Sequence, residues 1–284
     1  VKMPYVSPNH HVMNNGVFDV NPDGSVTVST PDGATTNASY FYMLHRSYSN
    51  DLFRKLGVGT FRLSGAPDSA ITALVLAYGS SSAFIGNLVT DNGNGATFTI
   101  YENFVKLPYF NGNSLSVNGI TWTVNADGSI KANGTASADA TFQLLSRIAY
   151  NDTLARMGKG TFTLSGCPSG GTSSKYYITI GHGTPSAFIA TLATDTGSGA
   201  TFSINSDFSN TNLYINLTVK SGQTVNNIVF KPMLERGSVA HEYMPDLTYY
   251  NSYMYYMLNR NMGCMHLCGR YQPFYKRDKA CYLF

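Results

Sequence analysis

The sequence predicts an all-β protein of two tandem β-sandwich modules, the first truncated, followed by an irregular C-terminal tail. Three observations predict it. Charged residues make up 12% of the chain, about half the usual share, while 27 Gly, 20 Tyr and 16 Phe supply turns and half-buried strands. The string GTFTLSG at Gly160 to Gly166 stands 101 residues after GTFRLSG at Gly59 to Gly65. SAFIATLATDTGSGATFSI, from Ser186 to Ile204, repeats SAFIGNLVTDNGNGATFTI, from Ser82 to Ile100, at an offset of 104. Solenoid periods run from about 20 to 50 residues, so self-similarity of this length marks tandem domains. The division is 1–104 for the truncated module, 105–246 for the complete one, and 247–284 for a basic tail rich in Tyr and Met.

Each module opens on an irregular entry, VKMPY at Val1 and VKLPY at Val105, and then a hairpin. NPDGSV at Asn21 and NADGSI at Asn125 are its Asp-Gly turns. In the second module Ile120, Trp122 and Val124 alternate with Thr121 and Thr123, which puts the first three on one face of a strand. Trp122, with Phe18 as its counterpart, reads as a core anchor. Asn50 to Gly57 and Asn151 to Gly158 allow a helical turn or two, with Asn caps, acidic first turns and terminal glycines. The strand at Thr161 to Ser165 follows, with Thr161, Thr163 and Ser165 on a wet face. Gly166 to Gly171 is a loop. Strands are expected at Tyr176 to Ile180, Phe188 to Ala193, Ala200 to Ile204, Asn212 to Val219 and Asn227 to Leu234. The first module runs from Ile100 straight into Val105 and lacks the last two. An open sheet edge is the consequence, to be covered by a neighbouring subunit, by the other module, or by strand addition from Tyr249 to Leu258.

Net charge excludes one class of partner. The formal +3 is uneven: Arg260, Arg270, Lys276, Arg277 and Lys279 face Asp278 alone, so the modules together are close to neutral and carry no footprint for nucleic acid. No apolar run is long enough for a membrane span, and no signal peptide is read at the N-terminus. Cys167 is alone in its module, at the position of Ala66, so no disulfide framework is expected. Asp91 to Gly95 and Asp195 to Gly199 have the ligand types of calcium loops without the closing carboxylate, and a Gly-rich turn explains them. Cys264, His266, Cys268 and Cys281 have an unusual spacing for zinc and read as thiols of the tail. No metal or other cofactor is expected. The six histidines have no partner at a telling spacing, His182 reads as a loop residue, and the strands carry almost no paired acids. The chain therefore reads as a non-enzyme.

The runs NGITWTVNADGSIKANGTASADATF, GKGTFTLSGCPSGGTSSKYYITI and VKSGQTVNNIVFKPMLERGSVAHEYMP carry a resemblance, above all in TFTLSGCP at Thr161 and NNIVFKPMLERG at Asn226. The second module resembles a carbohydrate-binding, jelly-roll-like β-sandwich that recurs in tail, baseplate and fibre proteins of bacteriophages and prophages of Gram-positive gut bacteria. The resemblance implies a non-enzymatic virion part, assembled as a homotrimer with other tail or baseplate proteins and contacting cell-surface glycan. The alternative is an accessory carbohydrate-binding region of a larger bacterial surface enzyme or adhesin, with monomeric modules and a catalytic segment upstream of Val1, placed outside the cell or on its surface. No sugar site comes with the resemblance. On physical grounds the glycan-binding candidates are Tyr176, Tyr177, Asn212 and Tyr214, since rings stack on sugar faces and amides bond hydroxyls. The competing reading has these tyrosines cover the sandwich or a subunit contact.

Overall fold

The structure is a computed structural model. It describes residues 5, 7–14, 16–29, 39–44, 52–66, 72–80, 82–149, 152–205, 211–258, 267–269, 274–276 and 279–281, those from 251 on as backbone. The described residues are almost wholly β, with two helices of one turn each. They fall into two compact units, Val1–Ile100 with Leu247–Phe284, and Tyr101–Asp246.

The first unit opens with β1 (His10–Met13), β2 (Gly16–Val20), β3 (Val26–Ser29) and β4 (Ser39–Leu44). Helix α1 (Leu52–Leu56) leads to β5 (Gly59–Leu63), β6 (Thr72–Gly79), β7 (Phe84–Asp91) and β8 (Ala96–Ile100). The second unit repeats the plan as β9 (Ser114–Val117), β10 (Ile120–Val124), β11 (Ile130–Thr135) and β12 (Ala140–Leu145). Then come α2 (Thr153–Met157), β13 (Gly160–Ser165), β14 (Tyr176–Gly183), β15 (Phe188–Asp195) and β16 (Ala200–Ile204). It closes with β17 (Asn212–Val219), β18 (Thr224–Phe230) and β19 (Met233–Arg236). Sequence reading joined β18 and β19 into one strand. Pro232, which has no N–H for a ladder, separates them, and they lie in different sheets.

Three antiparallel sheets make up the second unit, in the orders β18-β11-β10-β9, β12-β17-β14-β15 and β16-β13-β19. One core draws on all three. Trp122 is fully buried, with its ring 5.9 Å from Phe142 and 5.7 Å from Phe230, and Phe162 lies 5.9 Å from both Phe104 and Phe202. Trp122 is thus the core anchor its alternation implies. Thr163 and Ser165 depart from the wet face expected of them: both are buried, because the chain after β19 folds back and Thr163 Oγ1 donates to Gly237 O at 2.9 Å. Asn103, itself buried, ties the start of the unit to its end. Its Oδ1 accepts from the Val105 and Leu234 N–H groups, and its Nδ2 donates to Pro232 O and Met244 O.

After Asp246 the chain joins the first unit. A 3-10 turn at Leu247–Tyr249 leads to β20 (Asn251–Leu258), β21 (Leu267–Gly269), β22 (Phe274–Lys276) and β23 (Lys279–Cys281). Strand β20 lies between β4 and β6, as β17 lies between β12 and β14. Strand β21 pairs with β3 as β18 pairs with β11, and β22 pairs with β5 as β19 pairs with β13. The residues up to Ile100 do lack these strands, and the C-terminal segment supplies them. Leu247 and Tyr250 are buried, with the Tyr250 ring 5.6 Å from Tyr78.

Both units use the same local devices. Asp23 and Asp127 each accept from the backbone N–H and hydroxyl of the serine two residues on, which sets the Asp-Gly turn. Tyr5 and Tyr109 latch those turns by donating to Gly24 O and Gly128 O, each at 2.5 Å. That latch explains the repeated Pro-Tyr of the entry segments.

Candidate functional site

Strands β14 and β17 run side by side, and their register places the four glycan candidates. Tyr176 stands opposite Val219 and Tyr177 opposite Thr218, whereas Tyr214 stands opposite Gly181 and Asn212 opposite Gly183. The ladder therefore separates them into two pairs, with Tyr177 and Tyr214 four rungs apart, about 13 Å at the rise of a strand. They do not form one cluster.

Alternation decides what each pair does. Leu213, Ile215, Leu217 and Val219 are fully buried, so Asn212, Tyr214, Asn216 and Thr218 belong to the outer face of the sheet. On β14 Tyr177 and Thr179 share that outer face, while Tyr176 follows Ile178 and Ile180 towards the core. The Tyr176 ring meets Phe230 edge-on at 6.1 Å, its hydroxyl donates to Ser169 O at 2.8 Å, and burial raises its pKa. It covers the sandwich. Tyr214 is buried because its ring lies over Gly181, where an added Cβ would sit 2.3 Å from the tyrosine oxygen. Burial raises the Tyr214 pKa, its hydroxyl is 3.2 Å from Thr191 Oγ1, and its ring is 5.9 Å from Phe188. Asn212 Nδ2 donates to Arg147 O at 2.9 Å.

Sequence reasoning missed Phe188 because an alternating apolar residue reads as core. It is 57% exposed and Ile189 beside it is 48% exposed, at the start of β15, which is an edge strand of its sheet. The signal was available in the repeat, since Phe84 holds the same place in SAFI and is 50% exposed. The hairpin tip that carries Phe188 is a tight turn, with Ala187 N–H donating to Thr184 Oγ1, and Arg147 Nη1 donating to Thr184 O and Pro185 O, both at 2.8 Å.

The calcium-like loops resolve as turns. Asp195, fully buried, accepts from Cys167 N through Oδ2 and from Gly197 N and Gly199 N through Oδ1, all at 2.8 Å. Asp91 does the same for Ala66, Gly93 and Gly95. No cluster of three metal-ligating side chains occurs among the described residues. Of the zinc candidates, Cys264 and His266 lie outside the described residues, and Cys268 and Cys281 stand in β21 and β23, which belong to separate sheets.

Beside Cys167 is a cavity of about 220 Å³, lined by residues that include Lys231, His241 and Tyr243. Burial, followed by the Asp195 charge, pushes the Cys167 thiol up to about 12, which keeps it protonated and poorly nucleophilic at neutral pH. His241 does have a partner: its Nδ1 is 2.6 Å from Glu235 Oε2, and its ring stacks on Tyr101 at 4.1 Å. His10 pairs with Asp19 in the same way, at 2.6 Å. His182 is a buried residue of β14 and not a loop residue, and burial lowers its pKa.

No helix among the described residues is long and apolar enough to cross a membrane. No protein-family model and no curated protein matches the chain. Among solved structures, the chain is similar to the infectious bursal disease virus VP2 subviral particle, at 12% identity and a TM-score of 0.18 over 94% of this chain and 74% of that one. Particles described as "Infectious Bursal Virus Derived T=1 Particles" align at 12% identity and a TM-score of 0.17 over 94% and 71% of the two chains. Likeness at these scores carries no weight for fold or function.

Proposed function

We propose that the chain is a non-enzymatic structural protein of a phage tail, baseplate or fibre, carried in the virion as a homotrimer, whose sandwich modules contact cell-surface glycan. The observation that carries the glycan part is the outer face of β12-β17-β14-β15. Thr141, Gln143, Asn216, Tyr177 and Thr179 lie across three neighbouring strands there, and none is charged. Hydroxyls, amides and a ring on a rigid sheet suit the hydroxyls and C–H faces of neutral sugars better than they suit an ionic ligand. The resemblance of TFTLSGCP and NNIVFKPMLERG to tail modules supports the virion part. Light scattering and a glycan array on the intact chain test the reading together. A trimer that binds glycan is expected. A monomer that binds none would sink it.

A further inference from the structure

We infer that the two hairpin tips bearing Phe84 and Phe188 are the points of glycan contact, each seating one neutral pyranose ring against an exposed phenyl face. The inference rests on the glycan reading above and narrows the contact to the end of that outer face, where the Phe188 ring lies 5.9 Å from Tyr214.

The repeat supplies the first support. Two positions exposed in both copies of SAFI…TFxI carry different residues, Asn87 against Thr191 and Asn94 against Ser198. Phe84 and Phe188 are exposed too, at 50% and 57%, yet the aromatic is kept. The turn beneath it is kept as well. Ala83 N–H donates to Ser80 Oγ and Ala187 N–H to Thr184 Oγ1, with Ser82 and Ser186 Oγ within 3.3 Å of those hydroxyls. Folding leaves a large apolar ring in water twice, each time next to an alanine whose N–H is held by a hydroxyl three residues back.

The surroundings select the occupant. Around Phe188 stand two hydroxyl pairs, Thr184 with Ser186 at 3.2 Å and Thr191 with Tyr214 at 3.2 Å. Each pair shares one hydrogen bond, which leaves a second proton and spare lone pairs for a ligand. Arg147, beside the tip, is turned onto the Thr184 and Pro185 carbonyls. Hydroxyls beside an apolar ring match a sugar, which has hydroxyls at its edge and C–H bonds on its face. A protein partner fits less well, because Phe188 and Ile189 offer only a small part of the roughly 800 Å² per side that a stable interface buries. In the first unit the register sets Asn251 opposite Gly79 and Tyr253 opposite Ala77, the places of Asn212 and Tyr214. Both tips thus have the same backbone frame, which gives the chain two such sites.

The test uses the full chain, as wild type and as Phe84→Ala, Phe188→Ala and the double variant. The probe is an array of oligosaccharides ending in glucose, galactose, N-acetylglucosamine or N-acetylgalactosamine. At least a tenfold loss of surface binding is expected for each single variant and complete loss for the double, with melting temperature and solution mass unchanged because both rings are exposed. Phe188→Trp should retain binding. If the double variant binds like wild type, the tips are not the site, although the glycan reading survives. A changed solution mass would make the tips a subunit contact and overturn the inference. Wild-type protein that binds no sugar on the array overturns the inference together with the glycan reading.

Discussion

At the scale of single residues, the motifs shared by the two copies are structural devices. Asp195 and Asp91 are buried carboxylates whose hydrogen bonds all go to backbone N–H groups of loops they hold in place. Asp195→Ala leaves three donors without that acceptor and should destabilise the second unit by about 3 kcal/mol or more, read from chemical denaturation. Trp122→Ala opens a cavity among Phe142 and Phe230 and should cost about 3–5 kcal/mol by the same assay. Gly166 is required because an added Cβ would lie 1.8 Å from Lys231 O, where the two backbones cross. Cys167 gives a pH signature. Its folded pKa is raised from 9.0 to about 12, so the native state holds a proton that the unfolded chain releases. The sign follows from that: stability is fully present below pH 9 and is lost as pH rises towards 12. Thermal melts from pH 8 upward should show a shallower decline in Cys167→Ala, the residue type Ala66 already places in the first unit. Equal slopes would contradict it.

At the scale of elements, β20 is the strand on which the first unit turns. It is hydrogen-bonded on both sides, Tyr255 pairing with Tyr42 and with Val75. Tyr255→Pro removes a ladder donor in the middle of a sheet and should cost 3 kcal/mol or more, seen as a lower melting temperature for the first unit alone. The sequence did not show this strand as a repeat. Of the eight residues in NLYINLTV and NSYMYYML, only the Asn and the Tyr coincide. Register carries the equivalence instead, since Asn251, Tyr253 and Leu258 oppose the residues that correspond to the partners of Asn212, Tyr214 and Val219. A sheet position demands β-propensity and phase, and Tyr and Met meet the demand as well as Ile and Leu do. The strand addition expected at an open edge is met here by a strand seated between two others.

At the scale of the whole molecule, the second unit is an insertion between β8 and β20 of the first. Asn103 and the Lys106–Asp246 ion pair, 3.6 Å apart, bring the ends of the insert together, which is the condition for placing one domain inside another. The two units should therefore differ in dependence on the C-terminal segment. Deleting residues 247–284 should abolish one calorimetric transition and leave that of Tyr101–Asp246 intact. Two unchanged transitions would show that the first unit holds without β20 to β22.

The sequence by itself determined the all-β class, the duplicated plan, the turns and the Trp122 core, because composition, alternation and Asp-Gly turns act over a few residues and repeat in the second copy. Only the tertiary structure decided that Leu247–Phe284 completes the first unit, that Tyr176 and Tyr214 stand on opposite sides of their sheet at separate ends of a ladder, and that Phe84 and Phe188 face water. Each depends on which strands become neighbours. Pairing across more than a hundred residues leaves almost no trace in residue identity.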